Sequence, residues 1–429
     1  MSDFRADLAL ASEWAAAYLE RVGGLPVLPD VAPGDTRALL PAEAPEAPDT
    51  FAAILADLDT IIVPGLTHWN HPRFFAWFAN TGSEPGILAE LLIATLNVNN
   101  MTWLSSPAAT ELELTVLDWL ARLLGLPAGW HGHIEDTAST ATVAALAAAR
   151  TLRPGGVVYG SEQANFSVEK AARLVGLDYR PVAVDDDYRM RADFALDDAT
   201  AVVATVGTTG TTSVDPVREL AARCREAGVW LHIDAAYAGS AAICPELRWC
   251  LDGVDEADSV VVNPHKWLFT PMDCSTLWTR RPEVFHETFA LVPDYLAATS
   301  AAVDLKDYGP ALGRRFRALK LWLVLRMYGA EGLRALIREH VRLAQLFASW
   351  VDAEPGWEVV AAHPFSTVCF RHREADNDEL ARRATATGEL FVATTRLRGQ
   401  SVIRLAIGNA RTTEADVRRA WEVLCASVA

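Results

Sequence analysis

Val229-Trp230-Leu231-His232-Ile233-Asp234 and Val260-Val261-Val262-Asn263-Pro264-His265-Lys266 each run from apolar, β-branched residues into one charged side chain. In open α/β sheets such a run ends where the chain opens onto a ligand crevice, so Asp234 and Lys266 would face one site. An amine for a Schiff base and a carboxylate that keeps a pyridine nitrogen protonated are what pyridoxal 5'-phosphate (PLP) needs. Taken singly, Asp234 would merely end a strand and Lys266 would be a surface lysine after a turn. Together, with His265 beside the lysine, they point to that cofactor.

Two hydroxyl-rich segments could serve the same site. Thr137-Ala138-Ser139-Thr140 leads into the Ala-rich stretch 141–150, which predicts a helix N-terminus there. Free amides, hydroxyls and the positive dipole end suit a phosphate, although an ordinary Thr/Ser cap reads the same way. Gly207-Thr208-Thr209-Gly210-Thr211-Thr212 follows the strand expected at 201–206 and either faces the cofactor or is simply a loop. Neither a Walker A sequence nor a Rossmann glycine fingerprint is present, which argues against ATP and NAD. His131 and His133 beside Trp130 lack a third ligand in reach and are expected as surface histidines, with no metal bound.

The elements that must position these residues follow from periodicity. Strands are expected at 156–160, 201–206, 229–234 and 258–262, and helices at 138–152, 167–175 and 216–227, a βαβα rhythm that implies a mostly parallel, doubly wound sheet. This large domain would span 77–322. Ahead of it, Phe4, Leu8, Leu10, Trp14, Ala17, Tyr18 and Val22 share a helical face ended by Gly23-Gly24, and a Pro-rich stretch runs from Pro26 to Pro48. Asp49-Thr50 then caps a helix reaching about Ile62. Residues 1–76 therefore read as an arm that packs on a second subunit. A long helix from Trp322 to Trp350, strands near 357–361, 366–371 and 401–406, and a closing helix after Thr413 make 323–429 a small α+β domain.

Composition narrows the class. The chain has 429 residues, 51% of them hydrophobic, enough for a large core and an enzyme of two or three structural units. With 38 basic against 55 acidic residues the net charge is −17, which speaks against a nucleic-acid or anionic-membrane partner. Six cysteines without a CxxC pair fit reduced thiols in the cytoplasm. The N-terminus lacks the apolar core of a signal peptide, and no run of about 18 apolar residues predicts a membrane span.

Asn263-Pro264-His265-Lys266-Trp267, His232-Ile233-Asp234-Ala235-Ala236-Tyr237-Ala238-Gly239 and Leu312-Gly313-Arg314-Arg315-Phe316-Arg317 resemble the signatures of the PLP-dependent group II amino-acid decarboxylases, in particular the aromatic L-amino-acid branch. Further likeness lies in Pro72-x-Phe74-Phe75-Ala76, Ser106-Pro107-Ala108-x-Thr110-Glu111-Leu112-Glu113 and Arg326-Met327-Tyr328-Gly329. The resemblance implies a fold-type-I homodimer with shared active sites, PLP on Lys266, and Asp234 at the pyridinium. It also implies Ala236 and His265 near the ring, Ala138 and Ser139 at the phosphate, Thr209 close by, and Thr137, Asn165 and Asn263 as further cofactor-binding residues. Trp69, Trp77, Phe78, Asn99, Met101, Trp103 and Leu305 would line the pocket for an aromatic amino-acid substrate.

Four positions depart from that family's pattern. Asn165 stands where the decarboxylases carry a histidine stacked on the cofactor ring, and Leu305 falls where the loop tyrosine belongs, with Tyr308 three residues on. Asn99 and Met101 replace apolar or aromatic pocket residues of animal relatives. After CO2 leaves, a quinonoid carbanion must be protonated at Cα, and a loop tyrosine can act as that acid. Without it the electrons can pass to O2, releasing ammonia and an aldehyde; relatives changed from histidine to asparagine or from tyrosine to phenylalanine at these positions act as aldehyde synthases. Three outcomes stay open: an amine formed with Tyr308, His265 or water as acid, an aldehyde, or a silent PLP-binding or interaction protein. The intact Asp234 and Lys266 pair speaks against the last.

Overall fold

The structure is a computed structural model that describes residues 3–80, 82–291 and 302–428. The N-terminal helices are α1 (Phe4–Arg21), α2 (Asp35–Leu39) and α3 (Phe51–Asp57), followed by α4 (Glu84–Leu96) and α5 (Pro107–Leu124). Then come β1 (His131–Glu135), α6 (Ala138–Leu152), β2 (Val157–Ser161), α7 (Phe166–Leu174), β3 (Asp178–Val182), β4 (Ala199–Thr205), α8 (Val217–Ala227) and β5 (Trp230–Asp234). The large sheet is completed by β6 (Ser259–Val262) and β7 (Ser275–Thr279), with α9 (Pro264–Trp267) between them and α10 (Pro282–Phe289) after.

The seven strands lie in the order β1-β7-β6-β5-β4-β2-β3. From β6 to β3 every neighbour is parallel, while β7 runs antiparallel to both β6 and β1. All seven residues of β4 are buried, as expected of a central parallel strand with helices on both faces. On one of those faces Ala141, Ala144, Ala145, Ala148 and Ala149 of α6 are buried, their small side chains letting the helix lie close to the sheet. The strand and helix expectations inside this region hold to within two residues. β1, β3 and β7 were not anticipated.

A second, antiparallel sheet in the order β10-β11-β9-β8 comprises β8 (Trp357–Val359), β9 (Thr367–His372), β10 (Ala393–Leu397) and β11 (Gln400–Ala406). It carries α11 (Ala318–Ala353), α12 (Asn377–Ala386) and α13 (Glu414–Ala426). The long helix starts four residues earlier than the sequence suggests and is broken at Gly329 (φ 65°, ψ 168°), a conformation open to glycine and strained for other residues. Before the break Leu321 and Val324 join the core of the large sheet; after it Leu343, Phe347 and Val351 pack on the small one. The arm is tied to this region by the Val27 amide, which donates to Gly388 O at 2.8 Å. By contrast α1 buries no residue.

Candidate active site

Register brings the strand ends together. Asp234, the last residue of β5, lies between Thr205 of β4 and Val261 of β6. Five residues beyond Val261, after the Asn263-Pro264 turn, α9 presents Lys266. Asp234 is buried and its Oδ1 accepts the Ala236 amide at 3.1 Å. Burial pushes its carboxyl above the usual range, opposed by the Lys266 ammonium and that amide. Lys266 shifts the opposite way, down through desolvation and back up through Asp234. Burial thus pushes both groups toward their neutral forms, and each charge only partly offsets this for the other. His265, also buried, accepts the Cys274 amide on Nδ1 at 3.0 Å. Burial first, then Lys266, lowers its pKa to about 4.

A candidate phosphate cradle lies at the end of β1, which β7 separates from β6. Thr137 caps α6 without a side-chain cap bond, leaving the first amides of the helix, with the exposed Ser139 hydroxyl, facing outward. Asp136 accepts the Thr137 amide at 2.6 Å and the Thr140 hydroxyl, while the Thr137 and Thr140 hydroxyls lie 3.0 Å apart. Ala138 is buried behind them. Glu135 pairs with Ser275, whose hydroxyl donates to Asn263 Oδ1 at 2.6 Å, so the cradle and the Lys266 turn share an edge. The Asn263 amide nitrogen is then available to a ligand. Asn165 caps α7, its Oδ1 accepting the Ser167 amide at 3.0 Å, and its Nδ2 donates to Thr209 Oγ1 at 3.1 Å. Two segments that the sequence could place only separately therefore meet.

Phe78 lies over this floor. Its ring stacks on Tyr237 at 3.8 Å, and Tyr237 stacks on Trp267 at 4.9 Å. Lys266 Nζ stands 5.4 Å and Arg404 Cζ 5.1 Å from the Phe78 centroid. Arg404 is a residue that sequence reasoning missed: buried in β11, it donates Nε to Gly210 O at 2.9 Å while Nη2 has no protein partner. The signal was a lone charge inside Val402-Ile403-Arg404-Leu405-Ala406. Trp69 and Trp77 stack at 5.5 Å within a cluster that includes Phe74 and Phe391, and Trp77 remains 48% exposed.

The remaining pocket candidates form a separate ribbon. Asn99 Oδ1 accepts the Arg314 amide at 3.0 Å, the Lys306 amide donates to Met101 O at 2.9 Å, and the Trp103 amide donates to Asp304 Oδ1 at 2.9 Å. Leu305 is 1% exposed inside this ribbon. The Tyr308 ring lies tilted over His131 at 4.1 Å, with His133 at 6.3 Å and the adjoining Gly309 against the Glu135 carboxylate. His131 and His133 are not surface residues as expected: His133 is buried and His131 half-buried, because β1 is covered by Tyr308 and by Phe285 of α10. Burial lowers the His131 pKa to about 4. Among the described residues no group of three ligands for a metal forms around them.

A buried acid and lysine at adjacent strand ends, beside an uncapped helix N-terminus, define a PLP-type α/β enzyme, and these residues fit that cofactor. Residues 33–373 match the pyridoxal-dependent decarboxylase conserved domain. The chain belongs to that family, and its cofactor is PLP. It is 41% identical to the aromatic-L-amino-acid decarboxylase of Sus scrofa, over 98% of this chain and 95% of the relative. Its fold matches Oryza sativa TDC, solved with PLP and tryptamine, with a TM-score of 0.96 at 36% identity, covering 99% of this chain and 97% of that one. It is also similar to Rhodiola rosea 4-hydroxyphenylacetaldehyde synthase, with a TM-score of 0.93 at 34% identity and the same coverage.

Proposed function

We propose that this protein removes the α-carboxyl group of an aromatic L-amino acid, with Lys266 as the imine-forming amine and Asp234 as the partner of the pyridine nitrogen. The carrying observation is the register that sets the buried Asp234 at the end of β5 beside β6, whose following turn presents Lys266. Bound there, PLP supplies the electron sink for the bond from Cα to the carboxyl carbon. The amides of Ala138 and Ser139, the Ser139 hydroxyl and the Asn263 side chain hold the phosphate, with Thr137 shaping the turn. Ala236 and His265 flank the ring. Arg404 offers its unpartnered Nη2 to an anionic group. Trp69, Trp77 and Phe78 form the aromatic wall.

A second reading, O2-dependent conversion to an aldehyde, is favoured by a specific observation. Leu305 is buried, the Tyr308 ring lies on His131, and Asn165 is engaged with Ser167 and Thr209. Leucine and a capping asparagine amide carry no acidic proton, and the Tyr308 phenol ring packs on the histidines of β1. Purified, PLP-loaded protein given tryptophan, tyrosine, phenylalanine and dopa, with CO2, O2, amine and aldehyde followed together, tests both readings. Amine with CO2 and no O2 uptake supports the first; aldehyde with ammonia and O2 uptake supports the second; absence of CO2 release from all four overturns both.

We further propose a cytoplasmic homodimer built from an arm (1–76), a large domain (77–322) and a small domain (323–429). Support comes from Leu88, Leu91, Leu92 and Leu96 of α4, which are 42–56% exposed beside an α1 that buries nothing. All six cysteines are free, which suits a reducing compartment. Sedimentation at the mass of one chain would overturn the dimer.

A further inference from the structure

The Leu312 to Arg317 motif has so far only marked the family, yet its charges reach the site through two clamps. Arg314 donates Nη2 to Glu113 Oε1 at 2.6 Å and to Ile134 O at 2.8 Å, and the same Glu113 oxygen takes the Ile134 amide at 2.8 Å. That clamp grips β1 one residue before its last. The second clamp is on the opposite side of the lysine turn. Arg317 grips Asp273 bidentately, Nε to Oδ1 and Nη2 to Oδ2, both at 3.0 Å. Lys320, wholly buried one turn further along α11, donates to Glu90 at 2.7 Å and stands 3.8 Å from Asp273. Arg315 pairs with Glu90 as well.

Lys320 is wholly buried while Arg317 and Asp273 are half-buried, so removing Asp273 leaves a poorly solvated ammonium, and the loop before β7 is held by several bonds at once. The next residue after Asp273 is Cys274, whose amide donates to His265 Nδ1 at 3.0 Å. An amide N–H can only donate. His265 Nδ1 must therefore carry no proton, and a neutral ring must carry its proton on Nε2.

We propose that Asp273 is a positioning residue: held by Arg317 and Lys320, it sets the Cys274 amide against His265 and so fixes His265 as the Nε2–H tautomer. The ring is then a one-way donor beside Lys266, oriented before substrate arrives. The charged groups acting on His265 are Lys266 and Lys320, which lower its pKa, and Asp273, which raises it. His265 thus stays neutral at working pH and donates a hydrogen bond without gaining or losing its charge. A consequence for chemistry is that His265 orients; it does not supply the proton that Cα needs.

This inference rests on the PLP reading for its catalytic meaning, and its test separates the two. Long-range proton–nitrogen spectra of ¹⁵N-histidine-labelled holoprotein report each ring's tautomer, with the His265→Gln variant identifying the resonance. The expected wild-type signature is an unprotonated Nδ1 and a protonated Nε2, constant from about pH 6 to about pH 8. Asp273→Asn should mix the tautomers and lower kcat about tenfold or more with KM within about twofold. Arg317→Gln should do the same, and serves where Asp273→Asn does not fold. Asp273→Glu should restore part of the wild-type signature. A wild-type ring protonated at Nδ1, or a His265 signature unchanged in both variants, overturns the proposal. Failure of the wild-type protein to develop PLP absorbance would overturn the functional reading and leave the tautomer measurement standing.

Discussion

The strand-end floor and the ribbon of 99–103 with 304–309 are built on different principles. The floor is set by the parallel register of β4, β5 and β6, which fixes Asp234 between Thr205 and Val261 whatever the side chains around it. The ribbon is set by side-chain and amide contacts between segments some 200 residues apart, such as Asn99 to Arg314 and Trp103 to Asp304. A register cannot drift without breaking the sheet, whereas a ribbon of individual bonds can be rewritten one residue at a time. The proposed first step is therefore expected to depend on the floor, and the fate of the product on the ribbon.

The largest break in that comparison is expected at Lys266. Lys266→Ala should abolish the PLP absorbance that depends on the lysine and reduce turnover to background, measured by spectrophotometry and CO2 release. Asp234→Ala should follow, losing about 100-fold or more in kcat because the pyridine nitrogen loses its buried counter-charge. Both variants should give less of the same product. A changed ratio of amine to aldehyde in either would mean that the floor also directs product.

Leu305→Tyr acts on the other side of the comparison. It returns a phenol to the ribbon, and the amine share of product should rise with CO2 release within about threefold of wild type. Because Leu305 is 1% exposed, the larger ring must displace neighbours, and overpacking costs about 1–3 kcal/mol. Product partition measured with melting temperature separates the two effects. An unchanged partition in a folded variant would remove the ribbon from control of product.

The floor was legible because strand hydrophobicity and a terminal charge are local signals. Asp234, Lys266, Asn263 and the Thr137 helix start are all visible that way. The edge was not. β1 reads His-Gly-His-Ile-Glu, too polar for a strand by pattern, and is held by Glu113 and Arg314, more than 15 residues away on either side. For the same reason His131 and His133 were expected at the surface, since nothing local says that Tyr308 covers them. Arg404 was hidden differently: its strand was expected, but its approach to Phe78 depends on how the small sheet docks.

Acidification should probe the interior of both regions. His131 and His265, with His71 and His340, are held near pKa 4, and His232 near 3, all chiefly by burial. Against an unfolded value near 6.5, each depressed pKa means that the unfolded chain binds protons first as pH falls. Stability present above about 6.5 is therefore lost down to about 4. Asp215, raised to about 7, has the opposite sign, since its proton is held by the folded state between about 4 and 7. Five histidines against two such acids, Asp215 and Asp234, leave the net loss on the acid side. The melting temperature should fall from pH 6.5 to pH 4.5, and a flat profile would mean that the histidines are hydrated.

Asn165 is where the two regions can be told apart with the smallest perturbation. It caps α7 through Ser167 and reaches Thr209, so Asn165→Ala should cost about 1 kcal/mol for the lost cap. The Thr209 hydroxyl, no longer receiving the Asn165 amide, becomes free to turn. Asn165→His loses the same cap yet brings an ionisable ring. Equal destabilisation of the two, by denaturant titration, with a higher amine share only in the histidine variant, would show that residue 165 acts on product by its chemistry. Equal product shifts in both would instead make the Thr209 contact responsible, and would move that contact from the floor to the side that chooses the product.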